Sequence, residues 1–253
     1  MTLPSSKASY LNNPRPQYPP MSKRLGETGT VMLKVLVGAD GTAKDVLIGI
    51  DVGTSSTKVA AFTRDAAVLA DQTRDYRLVV DAPGFVEQDP NEWWEAITLA
   101  TRAVVETVGA HRVAGVGVSG QSWSAVPVDA DGTVLANTPI WMDTRSQNIC
   151  DDLVARVGAD RILAVSGNQL APTYTTGKII WFQRNRPEVY RAARWFLQSS
   201  SFIVLRLTGR VSQDVSQSYG IHAWDTATGE YDQTLAAELG LDLAVKIVEI
   251  RTR

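Results

Sequence analysis

The chain is 253 residues long, 44% hydrophobic and 21% charged, with a formal net charge of -2. This suits one large or two small globular domains and gives no electrostatic case for binding nucleic acid or an anionic membrane. One cysteine, Cys150, rules out an internal disulfide, and with two distant histidines, His111 and His222, it cannot build a zinc-type cluster. No apolar run reaches the length of a membrane span and the first residues lack a signal-peptide layout, so a cytoplasmic location is expected.

Residues 1 to about 22 are rich in Pro, Ser, Asn and Tyr; Pro4, Pro14, Pro16, Pro19 and Pro20 forbid a regular helix there and favour extended chain. A β-branched strand is expected over 29–37, a hairpin turn at Gly38-Ala39-Asp40-Gly41, and a return strand from Thr42. The next strand, Val46-Leu47-Ile48-Gly49-Ile50-Asp51, ends in a carboxylate. It is followed by the small-residue turn Val52-Gly53-Thr54-Ser55-Ser56-Thr57-Lys58 and a returning strand, Val59-Ala60-Ala61-Phe62. Strand, glycine-hydroxyl turn and strand make a pocket for a phosphate: Gly53 lets backbone N–H groups approach closely, Thr54 and Ser55 add donors, and Lys58 adds a cation. Asp51 is a hard oxygen ligand for Mg2+. The turn is not a Walker loop, because no second glycine lies between Gly53 and Lys58.

A third strand is expected over 68–79. A helix follows, with Asp89 as N-cap, Pro90 in its first turn and an apolar stripe of Trp93, Ile97, Ala100, Val104 and Val108. Strands are expected over 112–118 and 124–129, a turn at Asp129-Ala130-Asp131-Gly132, and helices over 144–157, 176–186, 199–207 and 231–239. The order indicates an α/β domain. Gly115-Val116-Gly117-Val118-Ser119-Gly120 fits the dinucleotide spacing, but a strand-like run with Pro127 follows where a helix would have to start, so packing of a buried strand is the better reading.

Gln121-Ser122-Trp123 stands where that strand ends. Gln121 can donate and accept toward hydroxyls, and Trp123 offers an apolar face to a sugar ring or serves as a packing aromatic. Asp143 and Arg145 alternate with Trp141 and Met142, either lining a cleft or forming a structural ion pair. Tyr174, Thr175 and Thr176 precede a helix, with either threonine as an N-cap or a sugar contact. His222 reads as a packing histidine.

The segment from Asn13 to Pro20, with Gly29-Thr30-Val31 and Gly38 to Thr42, resembles the C-terminal domain of the TonB energy-transducer proteins, a periplasmic domain that grips outer-membrane receptors. That resemblance covers about residues 3–46 and stops before the helix and last strand of the family; the chain changes identity at Leu47. From there five ordered motifs resemble the N-terminal domain of the FGGY carbohydrate kinases, xylulokinase-like members above all. They are Ile48 to Lys58, Gly84 to Pro90, Gly117 to Gln121, Trp141 to Arg145 and Lys178 to Trp181, followed by Leu205 to Gly209 and Asp214.

The resemblance implies a ribonuclease-H-like, actin-type ATPase fold, with a mixed sheet and flanking helices behind the Pro-rich segment and hairpin. It further implies ATP and Mg2+ at Asp51, Gly53, Thr54, Ser55 and Lys58, and a small sugar at Gln121, Ser122, Trp123, Asp143 and Arg145. Where xylulokinases usually carry Met-His, this chain has Ser122-Trp123. The family's catalytic base is an aspartate in a later Gly-Asp motif. Leu239-Gly240-Leu241-Asp242 and Glu249-Ile250-Arg251 resemble the run before it, and no such motif follows, so the base is expected beyond Arg253. The expectations are therefore two units, a partial TonB-like segment at 1–46 and an incomplete kinase domain at 47–253. The kinase domain assigns no catalytic base and has little or no turnover alone, with a complementing chain or a homo-oligomer covering exposed apolar surface. The competing reading is a protein-binding module or an artificial fusion without enzymatic role.

Overall fold

The computed structural model describes residues 45–243. The Pro-rich start, the expected hairpin at 29–45 up to its last residue, and the run at 249–251 lie outside the described residues. So does Arg253, the position beyond which the catalytic base is expected.

Three strands open the described chain: β1 (Val46–Val52), β2 (Ser56–Phe62) and β3 (Val68–Asp75). After the two-residue β4 (Glu87–Gln88) comes helix α1 (Pro90–Val108), then β5 (Val113–Gly120). They build a mixed sheet of order β3-β2-β1-β5, in which β1 pairs antiparallel with β2 and parallel with β5. A parallel neighbour requires a crossover, and α1 supplies it while covering β2 and β3. The helix starts as its sequence dictates: Asp89 accepts a hydrogen bond from Asn91 N (2.8 Å), and Pro90 gives up an N–H that has no helical partner. All five residues of the expected stripe are buried, packed with Val46, Ile48, Ile50 and Val52 of β1 and Val59 and Ala61 of β2. The alternating burial of β1 follows from the two-residue period of a strand covered on one face.

The sheet cluster also takes Val126, Val128, Ile140, Leu197, Phe202, Ile203 and Leu205, and a second cluster draws on the remaining elements. These are β6 (Val126–Val128), β7 (Thr138–Pro139), α2 (Gln147–Val157), α3 (Ala159–Ser166), α4 (Thr175–Asn185), α5 (Pro187–Ala192), β8 (Trp195–Leu197), α6 (Ser199–Thr208), α7 (Val215–Ser218), β9 (Trp224–Asp225), β10 (Glu230–Tyr231) and α8 (Gln233–Leu239). Their core is built on Leu153, Ile162, Ile179, Phe182, Phe196 and Leu235. Among the described residues no helix is long and apolar enough to cross a membrane.

Three expected boundaries move for identifiable reasons. The strand expected over 68–79 ends at Asp75, because Tyr76 turns to donate its hydroxyl to the Gly53 carbonyl and Arg77 pairs with Glu92; Val79 then bridges Glu87. The helix expected from 144 starts at Gln147, because the Asp143 carboxylate takes the Arg145 N–H (3.0 Å) and holds that stretch as a turn. The strand expected over 124–129 is confined to Val126–Val128, where β8 pairs with it. The short α3 and α5 were not expected; eight and six residues are too few to show a helical period. The glycine-rich run at 115–120 is strand throughout, so no helix meets it and the dinucleotide spacing carries no site.

Trp93 is fully buried in the sheet cluster. Trp93→Ala should lower stability by about 3–5 kcal/mol in urea unfolding, and a loss below about 1 kcal/mol would show that α1 does not carry this core.

Candidate active site

The parallel pairing places Asp51 beside Ser119 and Val52 beside Gly120. The C-terminal ends of β1 and β5 therefore open at one edge of the sheet, the place where ligands of open α/β sheets collect. Asp51, Gly53 and Thr54 leave the first strand; Gly120, Gln121, Ser122 and Trp123 leave the second; with Trp141 they line one hollow of about 370 Å³. A second hollow of about 450 Å³, around Asp131, Trp195 and Arg206, shares no residue with it and holds none of the expected phosphate or sugar groups.

The turn after β1 closes only over glycine. Gly53 N donates to Ser56 O (3.0 Å), and a Cβ at Gly53 would stand 2.8 Å from that oxygen. The turn is held from the protein side by amides and a phenol. Gln88 Nε2 donates to Thr54 O (2.8 Å), and Gln121 Nε2 donates to Gln88 Oε1 (2.7 Å) and Gly53 O (3.3 Å). Tyr76 donates to Gly53 O; burial, with the nearby charge of Asp51, raises its phenol well above the usual range and keeps it a donor. Trp141 Nε1 donates to Thr54 Oγ1 (3.0 Å). These bonds leave the Asp51 carboxylate exposed at the mouth, opposite Lys58 in the β1–β2 register and on the same face. Ser55 and Lys58 are exposed but do not line the hollow itself.

The donor set fits a phosphate-bound magnesium ion rather than an all-protein metal cage. Among the described residues no group of three or more His, Cys, Asp or Glu gathers to hold a metal. Magnesium typically takes one or two carboxylates and completes its shell with water and substrate phosphate, and Asp51 beside a glycine turn offers that much.

The Trp123 side of the hollow is built on an uncommon backbone. Trp123 has φ 66°, the left-handed region, which costs a non-glycine residue about 1–3 kcal/mol. Its carbonyl is held by Lys178 Nζ (2.8 Å), which also donates to Thr173 O. Its ring packs on Tyr174 (4.6 Å between centroids) and Tyr219 (5.8 Å), and a Cβ at Gly220 would stand 2.5 Å from Trp123 Cδ1. Lys178, on α4, is fully buried, and burial pulls its amine down to about 7 despite the nearby charge of Asp143.

The geometry corrects one expected pair. Asp143 and Arg145 do not line the hollow. The Asp143 side chain is 0% and the Arg145 side chain 2% exposed. Arg145 bonds Asp143 (2.7 Å) and Glu87 (2.7 Å) and packs its guanidinium against the rings of Phe85 (3.9 Å) and Trp181 (4.7 Å). Asp143 Oδ2 accepts from Val86 N (2.7 Å). The pair ties the 84–88 loop to the 141–145 turn behind the wall that Trp141 forms. In that motif it is the apolar Trp141, read only as the face alternating with the pair, that reaches the hollow.

Thr175 and Thr176 neither cap α4 nor reach the hollow: Thr175 Oγ1 donates to Ser124 O (3.2 Å), and Thr176 Oγ1 accepts from His222 N (2.9 Å). His222 is the buried packing histidine expected, its imidazole pushed down to about 4 by desolvation. Gln88, Tyr76 and Lys178 act on the site through partners far away in sequence, which no local pattern reveals.

Arg145→Met should cost about 3–5 kcal/mol of stability, since it strands the buried Asp143 carboxylate. Sugar affinity of the folded protein should stay within about twofold, and an affinity loss without a stability loss would return Arg145 to the site. Lys178 generates a pH dependence of stability. Between pH 7 and 10.5 the unfolded chain binds a proton that the folded chain does not. Stability therefore rises with pH across that window, and Lys178→Met should flatten the rise in thermal melts at successive pH values.

Comparison with known proteins agrees with this geometry. The family described as "FGGY family of carbohydrate kinases, N-terminal domain" matches residues 46–251, and "Gram-negative bacterial TonB protein C-terminal" matches residues 14–64, overlapping β1 and β2. The chain is 33% identical over 197 residues to the xylulose kinase of Escherichia coli, which covers 77% of this chain and 40% of that protein. Its structure is similar to the xylulose kinase of Rhodospirillum rubrum (TM-score 0.75, 27% identity, 80% of this chain and 42% of that one). It is also similar to the gluconate kinase of Lactobacillus acidophilus (TM-score 0.74, 25% identity, 81% and 42%). The chain thus spans about 40% of the length of the curated relatives it matches. The sheet has the actin-like ATPase architecture of these sugar kinases. A glycine turn after β1, a parallel β5 ending at the same edge and a match over most of the chain agree: this chain belongs to the FGGY family of carbohydrate kinases.

Proposed function

We propose that the described residues form the substrate-holding part of an ATP-dependent sugar kinase acting on a ketose of the xylulose kind or a related polyol. The observation that carries this reading is the shared hollow: the Asp51–Gly53–Thr54 turn and the Ser122–Trp123 turn open into one space, with an indole on each side. Magnesium-bound ATP supplies the transferable phosphoryl group when bound. Asp51 takes the metal side, Gly53 and Thr54 receive the phosphate, and Ser122 and Gln121 meet sugar hydroxyls. Trp123 and Trp141 present apolar faces to the carbon skeleton and exclude water from the phosphate turn. Ser55 and Lys58 stand at the turn's outer side as further anion contacts. A kinase that draws on ATP and a small neutral sugar belongs in the cytoplasm.

Among the groups lining the hollow, Asp51 is the carboxylate, and a carboxylate engaged with a metal cannot also take the hydroxyl proton. The base therefore comes from outside the groups that line the hollow. A positioned base contributes roughly 10²–10⁴-fold, so the groups of the hollow without one turn over slower by about that factor. A complementing chain, or a second copy packed on exposed apolar residues such as Val116 and Met142, is the partner this predicts.

A second reading rests on the match over residues 14–64: the first 46 residues form a protein-binding element. Its limit is physical. Residues 46–64 of that match are β1, β2 and their exit, paired on both sides in the kinase sheet, so they cannot serve two folds at once.

Calorimetric titration with D-xylulose, D-ribulose, gluconate and glycerol, alongside an assay of ATP-dependent phosphorylation, tests the proposal. One of the polyols should bind. Turnover should rise by about 10²-fold or more when a polypeptide carrying the rest of a family kinase is added. Asp51→Asn should abolish that turnover while leaving sugar binding within about twofold. Rapid turnover by the lone chain, or an active Asp51→Asn variant, would contradict the assignment.

A further inference from the structure

Lys178 is buried, touches neither the phosphate turn nor the hollow, and holds two backbone carbonyls of two different loops: Trp123 O (2.8 Å) and Thr173 O. These loops carry two rings packed on each other beside the hollow, Trp123 and Tyr174. One of the two carbonyls belongs to the residue with positive φ, a conformation that persists only when its surroundings over-determine it. We propose that Lys178 is a positioning residue for sugar recognition: by tying the Trp123 carbonyl to the Thr173 carbonyl it fixes the indole of Trp123 and the hydroxyl of Ser122 at the hollow. The inference rests on the sugar-kinase reading above and adds to it a residue behind the site.

The arrangement explains why a lysine stands there. A carbonyl-to-carbonyl tie needs a donor with no acceptor character, and an ammonium offers three N–H groups on a flexible stem. The charged groups facing it are Asp143 and Arg145 from the 141–145 turn and the thiol of Cys150 on α2. The thiol is pushed up to about 11 and is neutral at working pH. Asp143 is itself taken by Arg145 and Val86 N, so the ammonium's direct partners are the two carbonyls. Losing its proton converts two charge-assisted hydrogen bonds into neutral ones, which are weaker.

A structural lysine and a positioning lysine predict opposite trends. Stability rises as the pH climbs above 7, as argued above, whereas a positioning role makes sugar affinity fall over the same range because the tie loosens. The test is calorimetric titration of the full chain with D-xylulose, a neutral ligand that does not itself titrate, between pH 6 and 8.5. Melting temperature and near-ultraviolet circular dichroism are recorded in parallel. The wild-type chain should lose about fivefold in affinity over the range. Lys178→Met should bind about tenfold or more weakly, show no pH trend and lose the dichroism of the coupled Trp123 and Tyr174 rings. Arg145→Met, equally buried, should lose stability without losing affinity. A folded Lys178→Met variant with wild-type affinity, or a wild-type affinity that is flat or rising with pH, would overturn this proposal alone. A wild-type chain that binds no polyol would overturn it together with the sugar-kinase reading.

Discussion

The parallel pairing of β1 with β5 is the constraint on which the site depends. Neither strand carries a complete binding surface: β1 ends in a carboxylate and a glycine turn, β5 in an amide, a hydroxyl and an indole. Register alone, Asp51 beside Ser119 and Val52 beside Gly120, brings these ends into one hollow. A one-residue slip would turn every side chain of β5 to the opposite face. The helix α1 makes the pairing possible, since two parallel neighbours need a crossover and its apolar stripe covers the sheet that results.

Behind the hollow lies a layer of buried polar ties whose role is to hold loops. Gln88 and Gln121 link the two turns, Arg145 joins Asp143 to Glu87, and Lys178 bridges two carbonyls. Each of these groups loses water on burial and recovers that loss only through its partners. The result is a division of labour. Backbone, small side chains and two indoles face the hollow together with Asp51 and Gln121, while Gln88, Arg145 and Lys178 work from behind.

That division decides what was legible in the sequence. The strand-turn-strand around Asp51 and the capped helix from Pro90 are local patterns, and local patterns set them. The strand at 113–120 is legible in the same way, but it lies at the edge of the sheet with no buried residue and is not the buried strand expected, because apolar and small residues alone do not show on which side a neighbour will stand. The polarity of Asp143 and Arg145 suggested a cleft, but the same chemistry suits a buried pair whose guanidinium packs on Phe85 and Trp181, and only tertiary packing distinguishes the two. Trp141 passed as the apolar face of that motif because an indole reads as core until its surroundings are known; in the fold it is 41% exposed and bonded to Thr54. Lys178 lay inside a motif but gave no sign of its role, since its partners at 123 and 173 come from two separate loops.

The central claim is that the Asp51 turn and the Ser122–Trp123 turn form a single sugar and phosphate site. A crystal structure of the chain soaked with D-xylulose tests it most directly. The sugar is expected between the Trp123 and Trp141 rings, with a hydroxyl within hydrogen-bond reach of Ser122 and another turned toward Asp51. Sugar bound only in the hollow around Asp131 and Arg206, with the space beside Trp123 holding water alone, would contradict it.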